Sequence, residues 1–207
     1  MSRARGAQFA LVGVGIIAYV VLGMLVSHAP PRGIDVAARA LAGHGIGPAE
    51  IFTKSCLYYV FAPFCIVALL FVFMRDAWRT RALFSVVLLV GGWLISDQLK
   101  NVFVRPRPEY WYFVRESSYA YSSGHAMFAV TVYGLWAYFV WKSSLPSRVR
   151  YVLSPLLLAW SLGIVWSRLA LGAHYPSDLL GGIILGLTLV TLGLAIAAPT
   201  RERATAG

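Results

Sequence analysis

The sequence predicts an all-α polytopic membrane protein with six transmembrane helices in one bundle. Three observations predict it. The 207 residues are 59% hydrophobic and only 13% charged, with a mean hydropathy of +0.71, which is too apolar for an ordinary soluble domain. Apolar runs of membrane-crossing length recur along the chain. The charged residues gather in short clusters at the ends of those runs.

Taken in order, residues 9–26 form the first apolar run, and the prolines of Ser27 to Gly33 break it. The connection that follows is mixed in character, and residues 35–41 suit a brief interfacial helix. His28 and His44 read as exposed loop residues. The second span is expected at about 56–74 or from a somewhat earlier start, with Pro63 as a kink. Residues 75–81 read as a basic, aromatic turn at a membrane surface. The third span follows at 82–99, and a long polar connection from Lys100 to Ser123 leads to the fourth at 125–141. After a short basic loop at 142–150 come the fifth span, 151–166, and the sixth, 176–198. With no internal repeat, residues 1–207 read as one membrane-embedded domain.

Six spans put both termini on one side. There lie Arg3, Arg5, Arg75, Arg79, Arg81, Lys142, Arg148, Arg150, Arg201 and Arg203. The opposite side carries Arg32, Arg39, Lys54, Lys100, Arg105, Arg107, Arg115 and Arg168, of which five sit in or beside polar stretches that resemble a site. With those five set aside, the positive-inside rule places the termini in the cytoplasm and the site outside. The net charge of +10 follows no continuous basic face, so nucleic acid is not an expected partner. Cys56 and Cys65, read as members of one helix, would stand roughly 13 Å apart along its axis, too far for a disulfide.

Three polar stretches fall on the outer face. In the first, Lys100 to Pro108 ends the third span with three cations and two prolines. Prolines stiffen the segment, so Arg107 is held and suits an anion with several oxygens. The second, Tyr121-Ser122-Ser123-Gly124-His125, is a small turn before a helix start, where backbone N–H groups point toward an anion. In the third, Ser167 to Asp178, Pro176 suits the first turn of a helix and Asp178 falls near the third helical position. From there its carboxylate reaches back to His174, fixing one imidazole nitrogen and freeing the other as base or nucleophile. Arg168 adds a planar fork for phosphate. No group of His, Cys and carboxylates has metal-ligand spacing, so neither a metal nor another cofactor is expected. Several cations and donors around one anion favour phosphoryl over acyl transfer.

Lys100 with Arg107-Pro108, then Ser123-Gly124-His125, then Arg168 with His174 and Asp178 together resemble the three-part signature of the type 2 phosphatidic acid phosphatase family, over about residues 100–178. The resemblance implies a six-helix lipid phosphatase of the bacterial inner membrane, its site at the periplasmic ends of helices 3 to 6. It further implies His174 as the nucleophile of a phosphohistidine intermediate, Asp178 as its orienting carboxylate and His125 as general acid and base. Lys100, Arg107, Ser123, Gly124 and Arg168 would bind phosphate. The implied partners are the bilayer and a lipid phosphate or diphosphate of the undecaprenyl diphosphate, phosphatidylglycerol phosphate, phosphatidic acid or lipid A type. One departure stands out: the family usually has proline where this chain has Ser122, which predicts a looser turn. An anion-binding transporter and an enzyme like the vanadium haloperoxidases are the alternatives, and oligomeric state stays open.

Overall fold

The structure, a computed structural model, describes residues 3–57, 76–112 and 116–197. Among these residues the chain is helical and contains no strand. Helix α1 spans Arg3–Ser27, α2 Ile34–Ala37 with a 3₁₀ turn at Ala38–Leu41, and α3 Ile46–Lys54. Helix α4 spans Asp76–Phe103, α5 Gly124–Phe128 and α6 Leu135–Trp141, the last two joined by a π-helical stretch at Ala129–Gly134. Helices α7, Ser147–Ala170, and α8, Pro176–Ala197, complete the bundle.

Four of these helices, α1, α4 from Trp78, α7 and α8, are long and apolar enough to cross a membrane. Their outward faces are apolar: Leu11, Ile17, Val87, Leu162 and Leu187 are all exposed. Such faces have no place in water, but in lipid they are the expected solvent contact. The fourth predicted span appears as α5, the π stretch and α6 in direct succession. Its irregular carbonyls are covered from within the bundle. Thr131 Oγ1 donates to the Met127 carbonyl at 3.0 Å and Ser161 Oγ of α7 donates to the Ala129 carbonyl at 3.0 Å, as a low-dielectric setting requires. Apart from residues 56 and 57 the second expected span lies outside the described residues, as do Cys65, Arg75, Phe113, Arg115, Arg201 and Arg203.

Several boundaries differ from expectation. The basic segment expected as a turn at 75–81 is already helical from Asp76, and the expected loop at 142–150 gives way to α7 at Ser147. Charged side chains at a helix end reach water without the backbone having to unwind, so charge marks the membrane edge and not the helix edge. Helix α7 also continues past Trp166 to Ala170, which places Arg168 in its last turn, where a cation complements the helix dipole. Cys56 sits in the turn after α3, not within a helix.

Helix α1 lies along α8, α3 along α7, and α5 along α8. Where α1, α4 and the chain before α5 meet, Tyr19, Phe103 and Tyr121 form an aromatic trio with ring centroids 5.0–5.8 Å apart. The Tyr121 hydroxyl donates to the Tyr19 carbonyl at 2.6 Å. Glycine controls the closest approach: a Cβ on Gly182 of α8 would collide with the Ser123 carbonyl and Ala126. Gly182→Ala should therefore lower the thermal midpoint in detergent, by a destabilisation of about 1–3 kcal/mol, read from tryptophan fluorescence. Gly13→Ala, with open space at its Cβ position, should leave the midpoint unchanged.

Candidate active site

The third polar stretch is set by two helix caps. Helix α7 ends in a Schellman arrangement: the Ala173 N–H donates to the Arg168 carbonyl and the Gly172 N–H to the Leu169 carbonyl, both at 2.9 Å. Gly172 takes φ +65°, and a Cβ there would strike the Tyr110 carbonyl, so only glycine fits. Helix α8 then starts at Pro176. Asp178, its third residue, reaches back so that Oδ2 accepts from the Tyr175 N–H at 2.9 Å, the return half of a capping box. Two residues of turn geometry thus leave His174 between the helices.

His174 is buried, with Nδ1 3.5 Å from Asp178 Oδ2 and Nε2 3.1 Å from Arg107 Nη1. The Nδ1 contact is at ion-pair distance and lacks hydrogen-bond geometry. Guanidinium has donors only, so Nε2 must accept, its lone pair toward Arg107, while Nδ1 carries the proton facing Asp178. Burial first, then the charges of Arg107, Arg168 and Lys100, hold the imidazole well below its ordinary 6.5. At neutral pH it is an uncharged ring whose Nε2 is unprotonated and directed at Arg107.

Helix α4 ends at Phe103, and Val104 adopts φ +50° before the two prolines. That conformation is an outlier for a β-branched residue; it turns the chain so that Arg105 and Arg107 enter the protein. Arg107 is fully engaged. Its Nε donates to the Ser118 carbonyl at 2.6 Å, Nη1 to the Ala173 carbonyl at 3.1 Å, and Nη2 to Glu116 Oε2 at 2.6 Å and Ser118 Oγ at 3.0 Å. Lys100 donates to the same Ser118 hydroxyl at 3.2 Å. Arg168 donates through Nη2 to Glu116 Oε1 at 2.6 Å and through Nη1 to Thr53 Oγ1 of α3. The single carboxylate of Glu116 therefore bridges two of the expected phosphate-binding guanidiniums. Burial pushes Glu116 up, but Arg168 and Arg107 outweigh it and hold the carboxyl down at about 2.

Ser123 caps α5, its Oγ accepting from the Ala126 N–H at 3.4 Å, which leaves the hydroxyl proton available. Its own N–H is already used on the Asp178 carbonyl at 3.1 Å. Of the expected backbone donors, Gly124 and His125 remain, in the first helical turn where no intrahelical acceptor exists. His125 Nε2 is buried without a hydrogen-bond partner among the described residues. Ser122 is not loose: it is fully buried, with Oγ 3.2 Å from the Tyr19 hydroxyl. A side-chain hydrogen bond ties down the turn that was expected to lack rigidity.

A cavity of about 280 Å³ opens beside this cluster, with Arg107, Trp111, Glu116 and Ser118 in its wall. The Arg107 guanidinium lies over the Trp111 ring at 5.2 Å from the centroid, so this aromatic borders the site. His28 and His44 are exposed, as expected. Asp97 is exposed and makes no ion pair within 4 Å among the described residues. Sequence reasoning assigned no role to Glu116, Arg105 or Asp35, all of which belong to the buried ion network. The available signal was arithmetic: 8 acidic residues face 18 cations, so an acid on the cation-rich outer face is a natural counter-charge.

Known proteins share this arrangement of chain and sequence. Over 126 residues, 58% of this chain, the sequence is 37% identical to phosphatidylglycerophosphatase B of Bacillus subtilis (strain 168). Over 111 residues, 51% of the chain, it is 33% identical to phosphatidylglycerophosphatase B of Escherichia coli (strain K12). A lipid A 1-phosphatase of Rhizobium etli is 30% identical over 114 residues, 53% of this chain and 47% of that protein. The matched segments make up 59% of the Bacillus and 40% of the Escherichia protein, so they span about half the length of these relatives. The fold matches the crystal structure of a transmembrane PAP2-type phosphatidylglycerolphosphate phosphatase from Bacillus subtilis. The TM-score is 0.74, at 24% identity, over 92% of this chain and 98% of that one. The sequence profile of the PAP2 superfamily matches residues 81–201, which include every candidate site residue from Lys100 to Asp178, and the chain belongs to that superfamily.

Proposed function

We propose that this protein is a metal-independent lipid phosphatase of the bacterial inner membrane, a six-span bundle with cytoplasmic termini, which removes a phosphate from a lipid phosphate or diphosphate at the periplasmic face. The observation that carries the reading is His174: a buried neutral imidazole whose lone-pair nitrogen faces Arg107 while its N–H side faces Asp178. An unprotonated nitrogen beside the Arg107 guanidinium suits attack on the phosphorus of a phosphate held there.

In the proposed reaction His174 Nε2 forms a bond to phosphorus as the bond to the lipid oxygen breaks. Asp178 offsets the positive charge that develops on the ring, and His125 donates a proton to the departing oxygen. His125 then takes a proton from water, whose oxygen attacks phosphorus, and the P–N bond breaks to release inorganic phosphate. Lys100, Arg107, Arg168, the Ser123 hydroxyl and the Gly124 N–H would hold the remaining oxygens, stabilising charge where it builds up. A lipid substrate is supported by the exposed apolar helix faces around the site and by the names of the relatives, two phosphatidylglycerophosphatases and a lipid A phosphatase.

The test is phosphate release from phosphatidylglycerol phosphate, phosphatidic acid, undecaprenyl diphosphate and lipid A, with and without EDTA. Activity should persist in EDTA. His174→Ala should lose roughly a thousandfold or more in kcat, as expected when a nucleophile is removed. His125→Ala should accumulate an acid-labile phosphoenzyme when given a substrate with a good leaving group. A His174→Ala protein that retains activity would falsify the assigned nucleophile.

Because His174 is held well below 6.5, its reactive form is the dominant one at pH 6.5 and stays so on acidification. The acid limb of kcat/KM, which reports the free enzyme, should therefore fall well below pH 6.5. Arg107→Gln removes a charge that depresses this group, so the limb should move up toward 6.5.

Any incoming phosphate must take over the guanidinium N–H groups that Glu116 holds. Glu116→Gln removes the competing charge, and inhibition by vanadate should tighten by roughly tenfold, about 1.4 kcal/mol. Weaker vanadate inhibition in that variant would contradict the competition.

A further inference from the structure

Arg105 has no place in the reaction described above, yet it is one of the most buried cations, 2% exposed. Its Nη1 donates to Asp178 Oδ1 and, at 2.7 Å, to Ser177 Oγ; its Nη2 donates to Asp35 Oδ2 at 2.7 Å. The Tyr175 ring lies 4.6 Å beneath the guanidinium carbon. Asp35 belongs to α2, in the connection after the first span and outside residues 81–201. It also binds the start of α8 directly: Oδ1 accepts from the Ser177 N–H at 3.0 Å and Oδ2 from the Ser177 hydroxyl at 2.6 Å. Both acids are buried, Asp35 at 5% and Asp178 at 0% exposure.

The charge arithmetic gives this chain of bonds a purpose. One guanidinium is shared between two carboxylates. Arg105 alone with Asp178 would neutralise it, and a neutralised Asp178 could offer little to the imidazolium forming at His174. With Asp35 drawing on the other side of the fork, the three groups carry a net negative charge, and Asp178 Oδ2 keeps its share toward His174. The same contacts fix the rotamer of Asp178, because Oδ1 is held by Arg105 while Oδ2 accepts from the Tyr175 N–H. A planar fork is needed to reach both acids at once, which a lysine ammonium does not provide.

We propose that Asp35 is a positioning residue for the nucleophile, acting through Arg105 on Asp178, so that the connection after the first span forms part of the catalytic apparatus. The inference rests on His174 being the nucleophile. It predicts a defect in the chemical step and not in substrate binding, since neither Asp35 nor Arg105 bonds to the groups assigned to phosphate.

The test compares wild type, Asp35→Asn, Asp35→Glu, Arg105→Lys and Val36→Ala in detergent micelles, with phosphatidylglycerol phosphate or whichever lipid of the panel is turned over. Rates are measured at steady state and by rapid quench of the phosphoenzyme, each normalised to the number of vanadate-binding sites. Asp35→Asn should lower kcat and the phosphoenzyme formation rate by about tenfold to a hundredfold, with KM within about twofold. Asp35→Glu should recover part of that loss, Arg105→Lys should resemble Asp35→Asn, and exposed Val36→Ala should match wild type. A purely structural role for Asp35 would reduce the number of vanadate-binding sites and leave the rate per site intact, and that result would overturn the proposal. Unchanged rates in Asp35→Asn would do the same while leaving the lipid phosphatase reading in place. Absence of phosphate release by wild type from every lipid would overturn both.

Discussion

Among the described residues three guanidinium groups are buried at one end of this bundle, and the rest of the site is arranged around keeping them there. Arg105, Arg107 and Arg168 are each shielded from water, where an unpaired charge would cost several kcal/mol. Three carboxylates answer them. Asp35 and Asp178 flank Arg105, and Glu116 bridges Arg107 and Arg168. The two sets differ in kind. The first is closed, since both carboxylates are themselves buried. The second leans on a carboxylate that is a third exposed and lines the cavity, so it can be exchanged for the oxygens of a ligand.

That division gives the two halves of the site different duties. The closed half fixes Asp178, and with it the side of His174 that bears a proton. The exchangeable half holds positive charge in readiness near the lone pair of the same ring. A neutral imidazole among cations is favourable because burial and charge act in the same direction on His174. Weakening either would raise the proton affinity of the imidazole.

Support for this arrangement comes from parts of the chain remote from the three polar stretches. Thr53 of α3 accepts from Arg168, Tyr19 of α1 meets the turn before α5 at Ser122, and Asp35 of α2 binds Arg105 and Ser177. The first quarter of the chain thus serves as a scaffold that the signature region needs. Its contribution is tertiary throughout: each of these contacts joins residues at least 70 positions apart.

The all-helical class and the helix start within the third stretch could both be read in the sequence. Apolar runs of span length have few other fates. Pro176 and Asp178 specify a helix start through interactions within a few residues. Helix ends proved harder, because residues 76–81 and Ser147 lie in helices although the charge of these segments suggests loops. What only the tertiary structure decided is which acid answers which cation. Asp35 and Glu116 have no periodicity and no motif, and their partners lie far along the chain or on other helices. Ion pairing of that sort is governed by which side chains are enclosed together once the helices have packed, since burial makes an unpaired charge intolerable, and the linear order of residues carries no record of that enclosure.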